Sequence, residues 1–307
     1  MMVPIVLTVS MLLFWLLACL PGDAASAMAG TETTVEEMET MREAMGLNDP
    51  LYIRYFNWIT GILRGDFGTS LISGTPITDK ILQRLPVTIE LALLAMIVAV
   101  LIAIPLGIIS AVYRNSIWDN IASVISMIGI AMPSFWLGML LISLCSISNK
   151  WLPASGFTPI DESLMDNLRM MIMPAFSIGA TFAATTMRQT RNALLEVLDQ
   201  DYMMTAKAKG LPGHVQILKH ALRNALIPVI TVIAMQLGKL FGGAVVCETV
   251  FAMPGLGREI VNSILNRDYP VAMACVMCVA LIVIFINTFI DILYGFIDPR
   301  VSQGAKR

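Results

Sequence analysis

The chain has 307 residues, 57% of them hydrophobic and 14% charged, with a mean hydropathy of +0.76. Soluble domains sit near ~45–50% apolar and about 25% charged, which disfavours a soluble enzyme; the length suits one membrane domain of about five to seven spans. The net charge of −2 gives no reason to expect a nucleic-acid partner, and two histidines leave little room for a histidine-rich metal site.

Six apolar stretches reach membrane-spanning length, at about 3–20, 89–112, 121–147, 170–187, 225–246 and 271–294. The first lacks a positive leader and is apolar from residue 3, so it reads as a helix rather than a signal peptide; a cleaved signal would leave five spans. The fold class expected is therefore an all-α integral membrane protein with about six transmembrane helices. Two parts are anticipated: residues 1–85 as the first helix with a long external loop, and 86–307 as a core of five helices with a cytoplasmic loop at about 189–223.

In the long loop, Pro21-Gly22-Asp23 precedes a run of acids (Glu32, Glu36, Glu37, Glu39, Glu43) and two short helical patterns at 35–45 and 51–63. The second carries Tyr52, Tyr55, Phe56 and Trp58, an aromatic density suited to a segment lying on a membrane surface. Orientation follows from the short loops. With both termini inside, the cytoplasmic parts hold Arg114, Arg188, Arg191, Lys207, Lys209, Lys219, Arg223, Arg300, Lys306 and Arg307. The short external loops hold only Lys150, Arg169, Arg258 and Arg267.

Cys275 and Cys278 form a CxxC inside an apolar run, where membrane packing is favoured over redox or metal chemistry, and clustered Met170, Met171 and Met173 read as apolar filler. Polar residues at membrane depth are costly in lipid: Lys239 in the fifth span, and Asn287 and Asp291 four residues apart in the sixth. They are candidates for lining a substrate path, Lys239 meeting a substrate carboxylate, or for interhelical bonding and snorkelling.

The segment 188–223 is the most informative. Leu194, Leu198 and Tyr202 repeat every four residues, placing them on one helical face; Gly210-Leu211-Pro212-Gly213 then breaks the helix. Leu218, Ala221, Leu222 and Ala225 follow at i, i+3, i+4, i+7 and lead straight into the fifth span. Lys207, Lys209, Lys219 and Arg223 ring the break, while Ala206, Ala208 and Gly210 permit close backbone approach. Such a hairpin either rests on lipid headgroups or enters a groove on a partner.

The run Asp201-Tyr202-Met203-Met204-Thr205-Ala206-Lys207-Ala208-Lys209-Gly210-Leu211, followed by His220, Arg223, Asn224 and Pro228, closely resembles the cytoplasmic loop of binding-protein-dependent ABC importer permeases. The resemblance is to the B-type permease of the dipeptide/oligopeptide/nickel branch. It extends over essentially the whole chain: Pro21-Gly22-Asp23, Leu85-Pro86 with Thr88 and Glu90, Pro133-Ser134-Phe135-Trp136-Leu137-Gly138, Glu248-Thr249-Val250-Phe251, Pro254-Gly255-Leu256-Gly257, Arg267-Asp268-Tyr269-Pro270, Asn287 and Asp298-Pro299-Arg300. One departure is the Pro-Gly turn in Leu211-Pro212-Gly213-His214, where the family often carries charge.

The resemblance implies a type I importer permease in a cytoplasmic or inner membrane. A second related permease would complete the pore as a heterodimer, two ABC ATPases would hold the ATP and Mg²⁺, and an external binding protein would deliver peptide. The loop residues Asp201 to Leu211, with His220, Arg223 and Asn224, would couple the chain to an ATPase. Import of nickel or a metal chelate is the alternative within that architecture; a self-sufficient channel or secondary transporter is the alternative outside it. The chain has no GxxxxGK[ST], so any nucleotide chemistry falls to a partner, and no HExxH or membrane-depth histidine for a protease. No cofactor or metal is expected on this chain.

Overall fold

The computed structural model describes residues 2–18, 34–44 and 46–297. Cys19, Pro21-Gly22-Asp23, Glu32, Asp298-Pro299-Arg300, Lys306 and Arg307 lie outside the described residues, as does the side chain of Asp291. Among the described residues every regular element is a helix, with one isolated antiparallel bridge, Thr69 to Pro76, in the loops between them. The helices are α1 (Met2–Ala18), α2 (Val35–Ala44), α3 (Leu51–Leu63), α4 (Ile77–Val112), α5 (Ile117–Ala131) and α6 (Ser134–Ser148). Then come α7 (Leu164–Leu198), α8 (Asp201–Ala208), α9 (Gly213–Val250), α10 (Leu256–Leu265) and α11 (Tyr269–Ile297).

Helices α4, α7, α9 and α11 are each long and apolar enough to cross a membrane, and α1 is a shorter apolar helix. The third apolar stretch is not a straight span. It is split into α5 and α6, bent by 103°. The cause is local: a proline ring excludes the helical conformation from the residue before it, and Met132, before Pro133, is extended at φ −85°, ψ 120°. Pro133 then sits just ahead of α6 as its N-cap (φ −63°, ψ 138°), where its missing N–H costs the helix no hydrogen bond.

The chain folds as two compact units, Met1–Ile89 with Ala252–Thr288, and Glu90–Phe251 with Phe289–Arg307. In the first, α3 packs on α1 through Phe14, Tyr55 and Trp58, with a Ser10–Tyr55 hydroxyl hydrogen bond of 2.8 Å. Helix α2 opens with a capping box. The Glu37 N–H donates to Thr34 Oγ1, and Glu37 Oε2 accepts from the Thr34 N–H at 2.9 Å, which holds the Glu37 carboxyl below its ordinary range.

Helix α4 begins at Ile77, well before the predicted apolar stretch, and runs through Pro86. Its first turns are anchored: Ile77 and Ile81 are buried with Leu256, Val271, Ala274 and Cys275, while Arg84 and Lys80 pair with Glu259 at 3.2 and 3.8 Å. The Leu256 N–H donates to Thr88 Oγ1, so Pro254-Gly255 is the lead-in to a short helix, α10. Buried Asp268 accepts from Ser70 Oγ and the Leu71 N–H, tying the 65–76 loop to the start of α11. Cys275 is buried in this apolar cluster and Cys278 packs against it.

In the second unit α7 is central and is the most buried of the long helices. Its neighbours approach closely because small residues sit at the crossings. A Cβ on Gly179 would lie 2.6 Å from the Ala95 carbonyl oxygen of α4, and one on Gly107 would lie 2.6 Å from Thr190 Cβ. Polar links supplement this packing: Thr186 Oγ1 donates to Gln236 Oε1 of α9 at 3.0 Å, both buried.

Candidate functional site

The predicted face of Leu194, Leu198 and Tyr202 is not one face. Helix α7 ends at Leu198, Gln200 is extended (φ −81°, ψ 148°), and α8 starts at Asp201. Polar Asp199, Gln200 and Asp201 compete for backbone hydrogen bonds and so favour an interruption here. Leu194 is buried in the core, whereas Tyr202 is exposed.

Helix α8 is held by two inward residues a turn apart, Met203 and Ala206. Met203 enters a socket walled by Ala111 of α4, Ala193 and Leu194 of α7, and Ala221, Ala225 and Val229 of α9. The alanines leave room for its long side chain. Asp201, Tyr202, Met204, Thr205, Lys207, Ala208 and Lys209 face outward. Of the three small residues in the loop, Ala206 thus serves the internal seat, and Ala208 and Gly210 stand open.

The helix stops on a glycine for a geometric reason. Gly210 is left-handed (φ +72°), its N–H donates to the Lys207 carbonyl at 3.0 Å, and the Leu211 N–H donates to the Ala206 carbonyl at 3.4 Å. This Schellman pair satisfies carbonyls that would otherwise lack donors and turns the chain sharply. Gln216 Nε2 then donates to the Leu211 carbonyl at 2.6 Å, and Pro212 precedes α9.

Helix α9 does run from the loop into the fifth span, with one irregularity. Residues Gln216–Ala221 are π-wound. The wider turn shifts the register, so Leu218 is exposed while Ala221 and Ala225 remain buried. The fold also brings together two motif residues distant in sequence: Asn224 Nδ2 donates to the Tyr202 hydroxyl at 2.8 Å and to the His220 carbonyl at 3.4 Å. Lys207, Lys209, Lys219 and Arg223 are all exposed around the hairpin. The result is a short helix anchored on one side and presenting small and basic residues on the other, a form suited to a groove on a partner.

A second cluster was hidden from the sequence. Arg191, counted there only as a basic loop residue, lies on α7 and grips Asp119 of α5 in a fork: Nε to Oδ1 and Nη2 to Oδ2, both 2.8 Å. Ser110 of α4 and the Asn115 N–H also donate to this buried carboxylate. Ser116 and Asp119 form a local N-terminal cap that the Ser-x-x-Asp spacing signals, but nothing local announces Arg191 as the partner.

The residues expected to line a path fall on separate helices. Lys239 is exposed on α9, on a stripe with Met235, Gly242 and Val246, and makes no ion pair among the described residues. Asn287 is exposed on α11.

Long apolar helices, one bent span and a short loop helix seated against α4, α7 and α9 make up the fold of a type I ABC importer permease. Solved structures of that class share the fold. A methionine ABC transporter in an inward-facing conformation matches with a TM-score of 0.58 at 18% identity, over 71% of this chain and 96% of that one. An amino acid ABC transporter with histidines matches with a TM-score of 0.53 at 12% identity, over 70% and 93%.

The chain belongs to the family of binding-protein-dependent transport system inner membrane components, whose model matches residues 103–303; the N-terminal model of the same family matches residues 1–92. It is 40% identical over 305 residues to the oligopeptide transport system permease protein AppB of Bacillus subtilis (strain 168), spanning 98% of this chain and 96% of that protein. It is 41% identical over 300 residues to the glutathione transport system permease protein GsiC of Escherichia coli (strain K12), spanning 98% and 95%. It is a multi-pass membrane permease.

Proposed function

We propose that this chain is one permease subunit of an ATP-driven importer of peptides, paired with a second related permease and driven by two ABC ATPases. The observation that carries the reading is α8: it is fixed from within by Met203 and offers Ala208, Gly210 and a basic rim outward. In this reading α8 is the coupling helix, on the cytoplasmic side with both chain termini, and Asp201, Tyr202, Thr205, Lys207, Lys209, Leu211, His220, Arg223 and Asn224 form or brace its docking surface. ATP and Mg²⁺ bind in the partner ATPases, and an external binding protein presents the substrate. The oligopeptide and glutathione permeases among its relatives favour a peptide over a nickel chelate. Lys239, Asn287 and Asp291 are the path candidates.

Docking is tested with Ala208→Trp. Tryptophan at this exposed, right-handed helical position adds bulk without backbone strain, whereas Gly210 is left-handed and most side chains there would also distort the turn. The cognate ATPase is expected to be lost from affinity-purified Ala208→Trp complexes and retained in Gly210→Asn, since asparagine tolerates the left-handed conformation. Full ATPase retention by Ala208→Trp would contradict the assignment.

A further inference from the structure

The Asp119–Arg191 fork sits on the same helix turns that form the α8 socket. Arg191 is two residues from Ala193 and three from Leu194, both in the wall around Met203, and Ser110, which donates to Asp119, is followed by the socket residue Ala111. Asp119 itself is in the first turn of α5, the helix that leads to the elbow at Met132-Pro133 and on to α6. Helix α5 itself contributes no residue to that socket.

Van der Waals packing of α5 on α7 involves small and apolar residues, such as Gly129 against Ala184, and Ala122 with Ala183 and Met187. Smooth surfaces of this kind permit sliding. A two-bond guanidinium–carboxylate fork does not: its two parallel bonds need both helices in one register, and rotation or slippage of either helix breaks that geometry. The third and fourth donors, Ser110 Oγ and the Asn115 N–H, fix the carboxylate's own orientation.

We infer that Asp119 and Arg191 are positioning residues that clamp α5 to the α8 socket, so that motion delivered to α8 is passed to the α5–α6 elbow rather than lost in slippage. This rests on the docking reading of α8. The role differs from simple stabilisation, because an ion pair with a buried carboxylate and a half-buried arginine can be replaced by well-packed apolar residues with little loss of stability.

That difference supplies the test. In the assembled importer, spin labels are placed at the exposed positions Val124 of α5 and Asn192 of α7, and their separation is measured before and after trapping with ATP and vanadate. The native pair is expected to keep one narrow distance in both states. In Asp119→Leu/Arg191→Met the separation is expected to shift by ~2–5 Å on trapping, the scale of helix slippage. Arg191→Lys, which keeps the charge but not the fork, is expected to broaden the distribution.

Unchanged distances in the double variant would overturn the inference, and so would a large shift in the native pair. Failure of both variants to assemble with the ATPases would make the pair a folding element and overturn it too. Failure of the docking reading is distinguishable: it appears as intact ATPase binding in Ala208→Trp, whatever the labels report.

Discussion

Lys239 concentrates the question of substrate at one side chain. A lysine facing lipid at mid-membrane costs about 2.5–3.5 kcal/mol even on insertion scales, so an exposed one needs water, a partner or a route to the interface. Its stripe neighbours Met235, Gly242 and Val246 bring no charge, and Gly242 leaves open space beside it, with no atom within 4 Å of a built Cβ. Where that stripe lines a path, the ammonium is placed to meet a peptide's terminal carboxylate. Lys239→Ala is therefore expected to reduce uptake of peptides with a free C-terminus about tenfold, with amidated peptides less affected and complex assembly unchanged, the difference corresponding to ~1.4 kcal/mol of lost charge-assisted bonding. Equal uptake of free and amidated peptides by the native protein and the variant, in a labelled-peptide assay, would remove Lys239 from the path.

At the scale of elements, the packing of α7 carries the sharpest energetic expectation. Gly179 lets the α7 and α4 backbones meet, and a methyl group there would fall 2.6 Å from a backbone oxygen that cannot rotate away. Gly179→Ala is expected to destabilise the protein by about 1–3 kcal/mol, read as a lower melting temperature in detergent; an unchanged melting temperature would mean the helices separate freely. The elements also differ in how much of them the sequence carries. Apolar length alone identifies where the long helices run, and Gly210 with Pro212 marks the end of α8. The break at Asp199-Gln200 is less legible, because the four-residue repeat of Leu194, Leu198 and Tyr202 runs across it. The elbow at Pro133 is signalled by the proline, yet its 103° angle depends on how α5 and α6 each pack on α7. The Asp119–Arg191 pair is least legible of all: its partners are 72 residues apart, and basic residues near loops ordinarily report topology rather than contact.

For the whole molecule, the composition, the helical fold and near full-length relatives at about two-fifths identity point to one kind of machine part. In the proposed reading, energy reaches this chain from the partner ATPases through the outward-facing α8. The most direct measurement is peptide uptake into proteoliposomes, first with this chain alone and then with the second permease, both ATPases and the binding protein. The account predicts no uptake by the chain alone, and uptake by the full set that requires ATP. Sustained, peptide-selective uptake by the chain alone would contradict it.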